Sequence, residues 1–146
     1  MRNYFNIIIV FLILFSCNKI ETGETLEKKD LDNIKSLKLL KDGEIIFGFY
    51  SEYKKSVAGS FFTNQRIASY WVDERNSKKN EINSAYYKEI VEIDTVFNAG
   101  ATYTPYILVT KTNGKSFKVR VDGDKKEIKT FFEGAIRQWK IKGTLR

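Results

Sequence analysis

Residues 106–139 constrain this chain most: they spell two strands joined by a tight turn, with a two-faced helix directly behind them. Residues 116–122 (SFKVRVD) alternate polar and apolar with period two, as a strand with one buried face does. Asn113-Gly114 stands just ahead of them as a hairpin signal of the type I′ kind, which needs positive φ at both positions. Asp124 and Glu127 then form a capping-box pattern, with Asp at the N-cap and Glu at N3. Ile128, Phe131, Phe132, Ala135, Ile136 and Trp139 follow at i, i+3, i+4, i+7, i+8 and i+11, one unbroken apolar stripe along a helix. Such a stripe has to be covered, and the strands before it offer the matching face.

The chain upstream reads as more strands. Residues 25–41 predict a helix carrying Leu26, Leu31, Ile34, Leu37 and Leu40, with Thr25 or Asp30 as N-cap and Asp42-Gly43 as its end. Residues 44–50 put Ile45, Phe47 and Phe49 on one face and Ile46, Gly48 and Tyr50 on the other. That suits a strand covered on both sides, bent at Gly48. Residues 57–63 and 66–73 form the next pair, linked at Asn64-Gln65, with Ile67, Ser69 and Trp71 sharing a face. The charged run 74–80 is an exposed loop. Residues 82–87 and 90–97 are two more strands, and Pro105 opens the strand that enters the hairpin. Seven short strands between turn signals indicate a barrel or sandwich. With a helix at either end the class is mainly β with helices, and 146 residues hold a single domain.

The amino end carries a different signal. Residues 7–15 (IIIVFLILF) are an unbroken apolar run of nine. As a helix that run rises about 13.5 Å, far short of a hydrocarbon core about 30 Å thick, so it reads as the core of a signal peptide spanning residues 1–16. Leu14-Phe15-Ser16-Cys17 resembles the lipobox of bacterial lipoproteins, in which the thiol is diacylated and the chain is cut before Cys. An ordinary secretory cleavage site asks for small residues at both −3 and −1, and Leu14 does not fit. Cys17 is the only cysteine and stands where a lipid is attached. Several acyl chains, at about 0.8 kcal/mol per buried methylene, give the anchorage that one chain cannot. Residues 17–24 then read as the acylated Cys and a polar tether. Asn18 after the Cys implies, by the same resemblance, passage to the outer membrane.

Composition excludes several chemistries. There is no His and only one Cys, so a disulfide within the chain, His-bearing zinc sites, Ser-His-Asp triads and Cys-His pairs are all ruled out. Glu44, Glu89, Glu92 and Asp94 lack a signature spacing for carboxylate chemistry, and no nucleophile elbow or phosphate loop is present. The expectation is a protein that is not an enzyme and takes no cofactor or metal. The net charge of +7 is unevenly spread: residues 18–107 hold 13 Lys/Arg against 14 Asp/Glu, and residues 108–146 hold 11 against 4. Lys118 and Arg120 lie opposite the apolar face of their strand, with Lys111 and Lys115 across the hairpin. Together they form either a solvated face or a site for anionic headgroups, worth about 1 kcal/mol per basic residue. Nucleic acid suits the charge but not an exported, lipid-anchored domain.

Three segments in order carry a family resemblance. Gly43-Glu44-Ile45-Ile46 opens the first strand, residues 61–67 (FFTNQRI) make the turn between second and third, and residues 87–93 (YKEIVEI) open a later one. The second resembles the Leu-Thr-Asn-Lys-Arg-Ile turn, and the third the Tyr-x-Asp-Ile-x-x-Ile segment, of bacterial pleckstrin-homology-like domains, which are similar to GRAM domains. Glu89 stands where Asp is usual. The resemblance implies an α+β pleckstrin-homology-like split barrel over residues 25–146. It would have about seven antiparallel strands in two sheets, plugged at one end by the last helix and preceded by an N-terminal helix. Asn64, Arg66 and Trp139 become structural positions, Asn64 through a positive φ and Arg66 through nearby carbonyls or a carboxylate such as Glu89 or Asp94. The loop that binds phosphoinositides in eukaryotic relatives offers only Lys54 and Lys55, with Glu52 beside them. The expected function is an exported lipoprotein, lipid-anchored in the cell envelope, acting as a non-catalytic module that binds another envelope protein. The alternative is anionic lipid or glycan binding through the basic hairpin and last helix.

Overall fold

The computed structural model describes residues 19–98, 100 and 103–144. The signal segment and the lipid-attachment position Cys17 lie outside them. The elements are α1 (Lys28–Ser36), β1 (Ile46–Tyr50), β2 (Ala58–Thr63), β3 (Arg66–Trp71), β4 (Glu81–Tyr86), β5 (Ile90–Val96), β6 (Tyr106–Lys111), β7 (Ser116–Arg120) and α2 (Lys125–Gly143). Single 3-10 turns at Ser77–Lys79 and Tyr87–Glu89 join β3 to β4 and β4 to β5. All pairings are antiparallel, in one sheet of order β1-β2-β3-β4 and another of order β5-β6-β7. The class is the expected one, seven antiparallel strands with a helix at each end. The two-sheet division is the expected one too: among the described residues no ladder joins the sheets, so the barrel is split and open.

The hairpin and last helix follow their patterns. Phe117, Val119 and Val121 are buried, while Ser116, Lys118 and Arg120 are exposed. The Asp124 carboxylate accepts from Glu127 N (2.8 Å) and the Glu127 carboxylate from Asp124 N (2.9 Å), closing the capping box. The turn itself is not type I′. Only Gly114 has positive φ (79°), and its N–H donates to Lys111 O, which makes a three-residue loop with a left-handed glycine. Asn113 stays at negative φ because its side-chain oxygen is engaged by Lys115 N at 3.0 Å.

The main core lies where α2 covers both sheets. Phe131 and Phe132 join Phe62, Ile67, Ile107, Val109 and Val119, and the Phe62 and Phe131 rings meet edge to face at 5.0 Å. Phe62 reaches the helix because two glycines leave room: a Cβ at Gly48 would stand 2.6 Å from its ring, and one at Gly134 2.7 Å. Gly134→Ala gains about 1 kcal/mol of helix propensity but overpacks a buried ring by about 1–3 kcal/mol. We therefore expect a net loss of about 1 kcal/mol in a urea titration. A variant as stable as the parent would mean that Phe62 swings clear.

The four-stranded sheet is covered on its other face too. Leu26, Ile34, Leu39 and Leu40 pack on Ile46, Phe49, Phe61, Ala68 and Tyr70. The strand is covered on both sides as expected, but its faces differ from the plain alternation. A register shift between Ile46 and Gly48 puts Ile46 and Phe49 together in this cluster, sends Tyr50 to the other core, and leaves Ile45 and Phe47 exposed. The first helix is shorter than its apolar spacing implied. Glu27 precedes it, and it ends where Lys38 turns left-handed (φ 61°), well before Gly43. That turn lets Leu39 and Leu40 drop onto the sheet, and Leu39 N closes on Ile34 O at 3.2 Å. The stretch read as a tether is also different from residue 19 onward. Glu21 exchanges two backbone hydrogen bonds of 2.8 Å with Phe49, and Gly23 N donates to Ile46 O, so these residues cover the outer edge of β1.

Candidate functional site

The motif turn between β2 and β3 is built around a buried ion pair. Arg66 Nε donates to Glu44 Oε1 at 2.8 Å and Nη2 to Oε2 at 2.9 Å, and both residues are buried. Thr63 Oγ1 donates to the same carboxylate (2.7 Å) while accepting from Gln65 N and Arg66 N. Tyr87 OH donates to Thr63 O at 2.6 Å, and the Tyr86 ring lies 4.4 Å from the guanidinium carbon. Burial pushes the Tyr87 phenol up from its usual value, with Glu44 adding to the effect. Arg66 is thus held by Glu44, not by Glu89 or Asp94. Glu89 caps the 3-10 turn by accepting from Tyr86 N. Asn64 accepts from Ile45 N through Oδ1 (3.0 Å) with an ordinary negative φ, so its side chain and not its backbone ties the turn to β1. Trp139 is half-buried and donates from Nε1 to Ile90 O at 3.2 Å. Among the described residues no fully buried side-chain nitrogen or oxygen here lacks a partner, as an architectural core requires.

The six basic candidates separate into different roles. Lys55 pairs with Glu21 (2.6 Å) and Asp30 (3.5 Å), and its carbonyl accepts from Tyr70 OH. Burial pulls the Lys55 ammonium down, but these carboxylates outweigh it and leave its pKa raised. Lys54 lies over the Tyr53 ring. Lys111 reaches across the gap between the sheets to Ser84 O at 3.2 Å. Lys115 is exposed in the turn. Only Lys118 and Arg120 stand together beside a cavity, with Lys118 over the Tyr106 ring at 4.5 Å.

That cavity is a groove of about 810 Å³ between the inner face of the four-stranded sheet and β7. Cross-strand register explains its chemistry. Tyr50 pairs with Ser60, Ser60 with Ser69, and Ser69 with Asn83, so one polar row runs straight across all four strands. On one side of this row the same face is apolar, with Phe62, Ile67 and Ala85 in the core under α2. At the row the face turns polar where the second sheet departs, and Trp71 and Glu81 stand beyond it at the mouth. Ser60 and Ser69 are 8% and 9% exposed, and among the described residues their hydroxyls have no protein partner. Each therefore keeps contact with the groove. Burial, with Asp122 and Glu52 nearby, pushes the Tyr50 phenol up to about 12, so it enters the row as a neutral hydroxyl. The arrangement can hold a polar ligand by hydrogen bonds, with two cations at its rim. Among the described residues no group of His, Cys, Asp or Glu is placed to hold a metal ion.

Sequence reasoning placed Lys118 and Arg120 but missed the row. Ser69 between Ile67 and Trp71 was its only local sign, because register with Ser60 and Asn83 is not written in any single strand.

No protein-family model matches the chain, and no curated protein does. Among solved structures, the crystal structure of a DUF1696 family protein with a pleckstrin-homology domain, from Shewanella loihica PV-4, is similar at 15% identity. The match covers 81% of this chain and 97% of that chain, with a TM-score of 0.49.

Proposed function

We propose that this chain is an exported lipoprotein whose pleckstrin-homology-like domain, of the bacterial GRAM-like kind, is a non-catalytic binding module of the cell envelope. The observation that carries the binding role is the groove: a polar row with free hydroxyls, more than nine-tenths buried, opens beside two cations. The anchoring role is supported by the apolar run 7–15 and by Cys17 after Leu14-Phe15-Ser16. Acylation at Cys17 would keep the module at a membrane, where its partner is another envelope protein.

A second reading has its own support. Lys118 and Arg120 also border a smaller hollow of about 300 Å³ with Tyr103, Thr104 and Tyr106. Cations beside exposed aromatic rings suit an anionic lipid headgroup or a glycan. One variant tests both. Cys17→Ser is expected to move the protein from the membrane pellet to the soluble fraction and to remove an acyl mass from its amino end. Equal partitioning of parent and variant would sink the anchor. The released variant, floated with anionic vesicles, then decides the second reading: salt-sensitive co-flotation supports it and its absence removes it.

A further inference from the structure

Four sheet edges bound the two sheets, and three of them receive hydrogen bonds from elsewhere in the chain. Glu21 and Gly23 cover β1, Lys111 and the Glu89 carboxylate take Ser84 O and Tyr86 N on β4, and α2 runs beside β5 with Trp139 bonded to Ile90 O. The fourth, on β7, is bare. Lys111 N donates to Lys115 O and Val121 N to Pro105 O, so the odd-numbered residues of β7 turn their backbone groups to β6. The N–H and C=O groups of Ser116, Lys118 and Arg120 therefore point away from the sheet, and these are the residues that wall the groove. Among the described residues none of these backbone groups has a partner.

We propose that β7 takes an extended peptide as an added strand, and that this peptide carries acidic residues at alternate positions with small polar residues between them. The inference rests on the binding-module reading and names its mode. An unpaired edge supplies main-chain hydrogen bonds, and alternating side chains supply selectivity. One face of the added strand would meet Lys118 and Arg120, which are exposed on the outer side of β7 and favour carboxylates. The other face would lie over Ser60, Ser69 and Asn83, whose free polar groups favour Ser, Thr or Asn. The five residues of β7 offer about 14 Å of edge, enough for two acidic positions. A second copy of this chain is a poor occupant, because pairing β7 with β7 sets Lys118 and Arg120 beside their own copies.

The test uses the full-length protein in detergent micelles and a fluorescent peptide of alternating Asp and Thr. Two controls accompany it: a peptide of the same composition with Asp and Thr in blocks, and an alternating peptide N-methylated on every second amide. Expected results are saturable anisotropy for the alternating peptide, loss of binding on N-methylation, and slowed amide exchange at Ser116, Lys118 and Arg120. Lys118→Glu with Arg120→Glu should weaken binding by about tenfold. Binding that leaves those three amides unprotected, binding equal for the block peptide, or no binding at all overturns strand addition. Capture of a defined envelope partner by the parent, lost on Ser69→Tyr while the fold is kept, would leave the binding-module reading standing in any of those cases. No capture alongside no peptide binding would bring both down.

Discussion

A chain ending at Gly123 is expected to have no cooperative melt. α2 buries Ile128, Phe131 and Phe132, and burial of side chains this large contributes about 1.5–3 kcal/mol each, on the order of 5–9 kcal/mol together. A whole domain commonly has a margin of only about 5–15 kcal/mol. Removing the helix also uncovers Phe62 and Tyr87, which would then face water across the open end of the sheets. A milder version of the same cut is Phe131→Ala, for which the expected loss is about 3–5 kcal/mol in a denaturant titration. A truncated chain that keeps a sharp thermal transition would show that the two sheets stand without their cover.

Arg66→Met should cost nearly as much as that point mutation, for a different reason. It removes both arms of the guanidinium from Glu44 and leaves a buried carboxylate with only Thr63 Oγ1 and Lys41 N. Breaking one side of a buried pair costs about 3–5 kcal/mol, far more than the pair contributes relative to a neutral replacement. Adding Glu44→Gln to Arg66→Met removes the stranded charge but keeps only one of the two accepted hydrogen bonds, since the amide has one acceptor oxygen where the carboxylate uses both. The double variant should therefore recover part of the loss. The check is a urea melt of all three proteins. A single variant within about 1 kcal/mol of the parent would show that the carboxylate finds water and that the pair does not fasten the turn.

Much of the scaffold was legible because its strands and last helix obey simple periods. Phe117, Val119 and Val121 alternate, and the α2 stripe repeats at helical spacing, so each element announces its own buried face. What stayed hidden depends on residues far apart in the chain. Arg66 and Glu44 are separated by 22 positions, and nothing near Arg66 distinguishes Glu44 from Glu89 as a partner. The end of α1 is decided by where Leu39 and Leu40 find cover, which overrides the plain stop signal of Asp42-Gly43. The groove was half legible. The polar face of β7 is explicit in the alternation, but the matching row of Tyr50, Ser60, Ser69 and Asn83 needs three registers at once. The bare edge of β7 has no local signature at all, since a strand reads the same whether it has one neighbour or two.

The docking of residues 19–23 also fixes a leash length. Lys19 N reaches the Glu127 carboxylate at 3.3 Å and its ammonium sits 3.4 Å from Asp122, while Glu21 is stitched to Phe49. Only two peptide links separate Lys19 from Cys17, a reach of about 7 Å at full extension. If fatty chains are carried there, the domain cannot drift or tumble above the lipid; it is moored flush, like a boat on a short line. Its partner would then have to reach a domain held close to the lipid surface, rather than one swinging free on a long stalk.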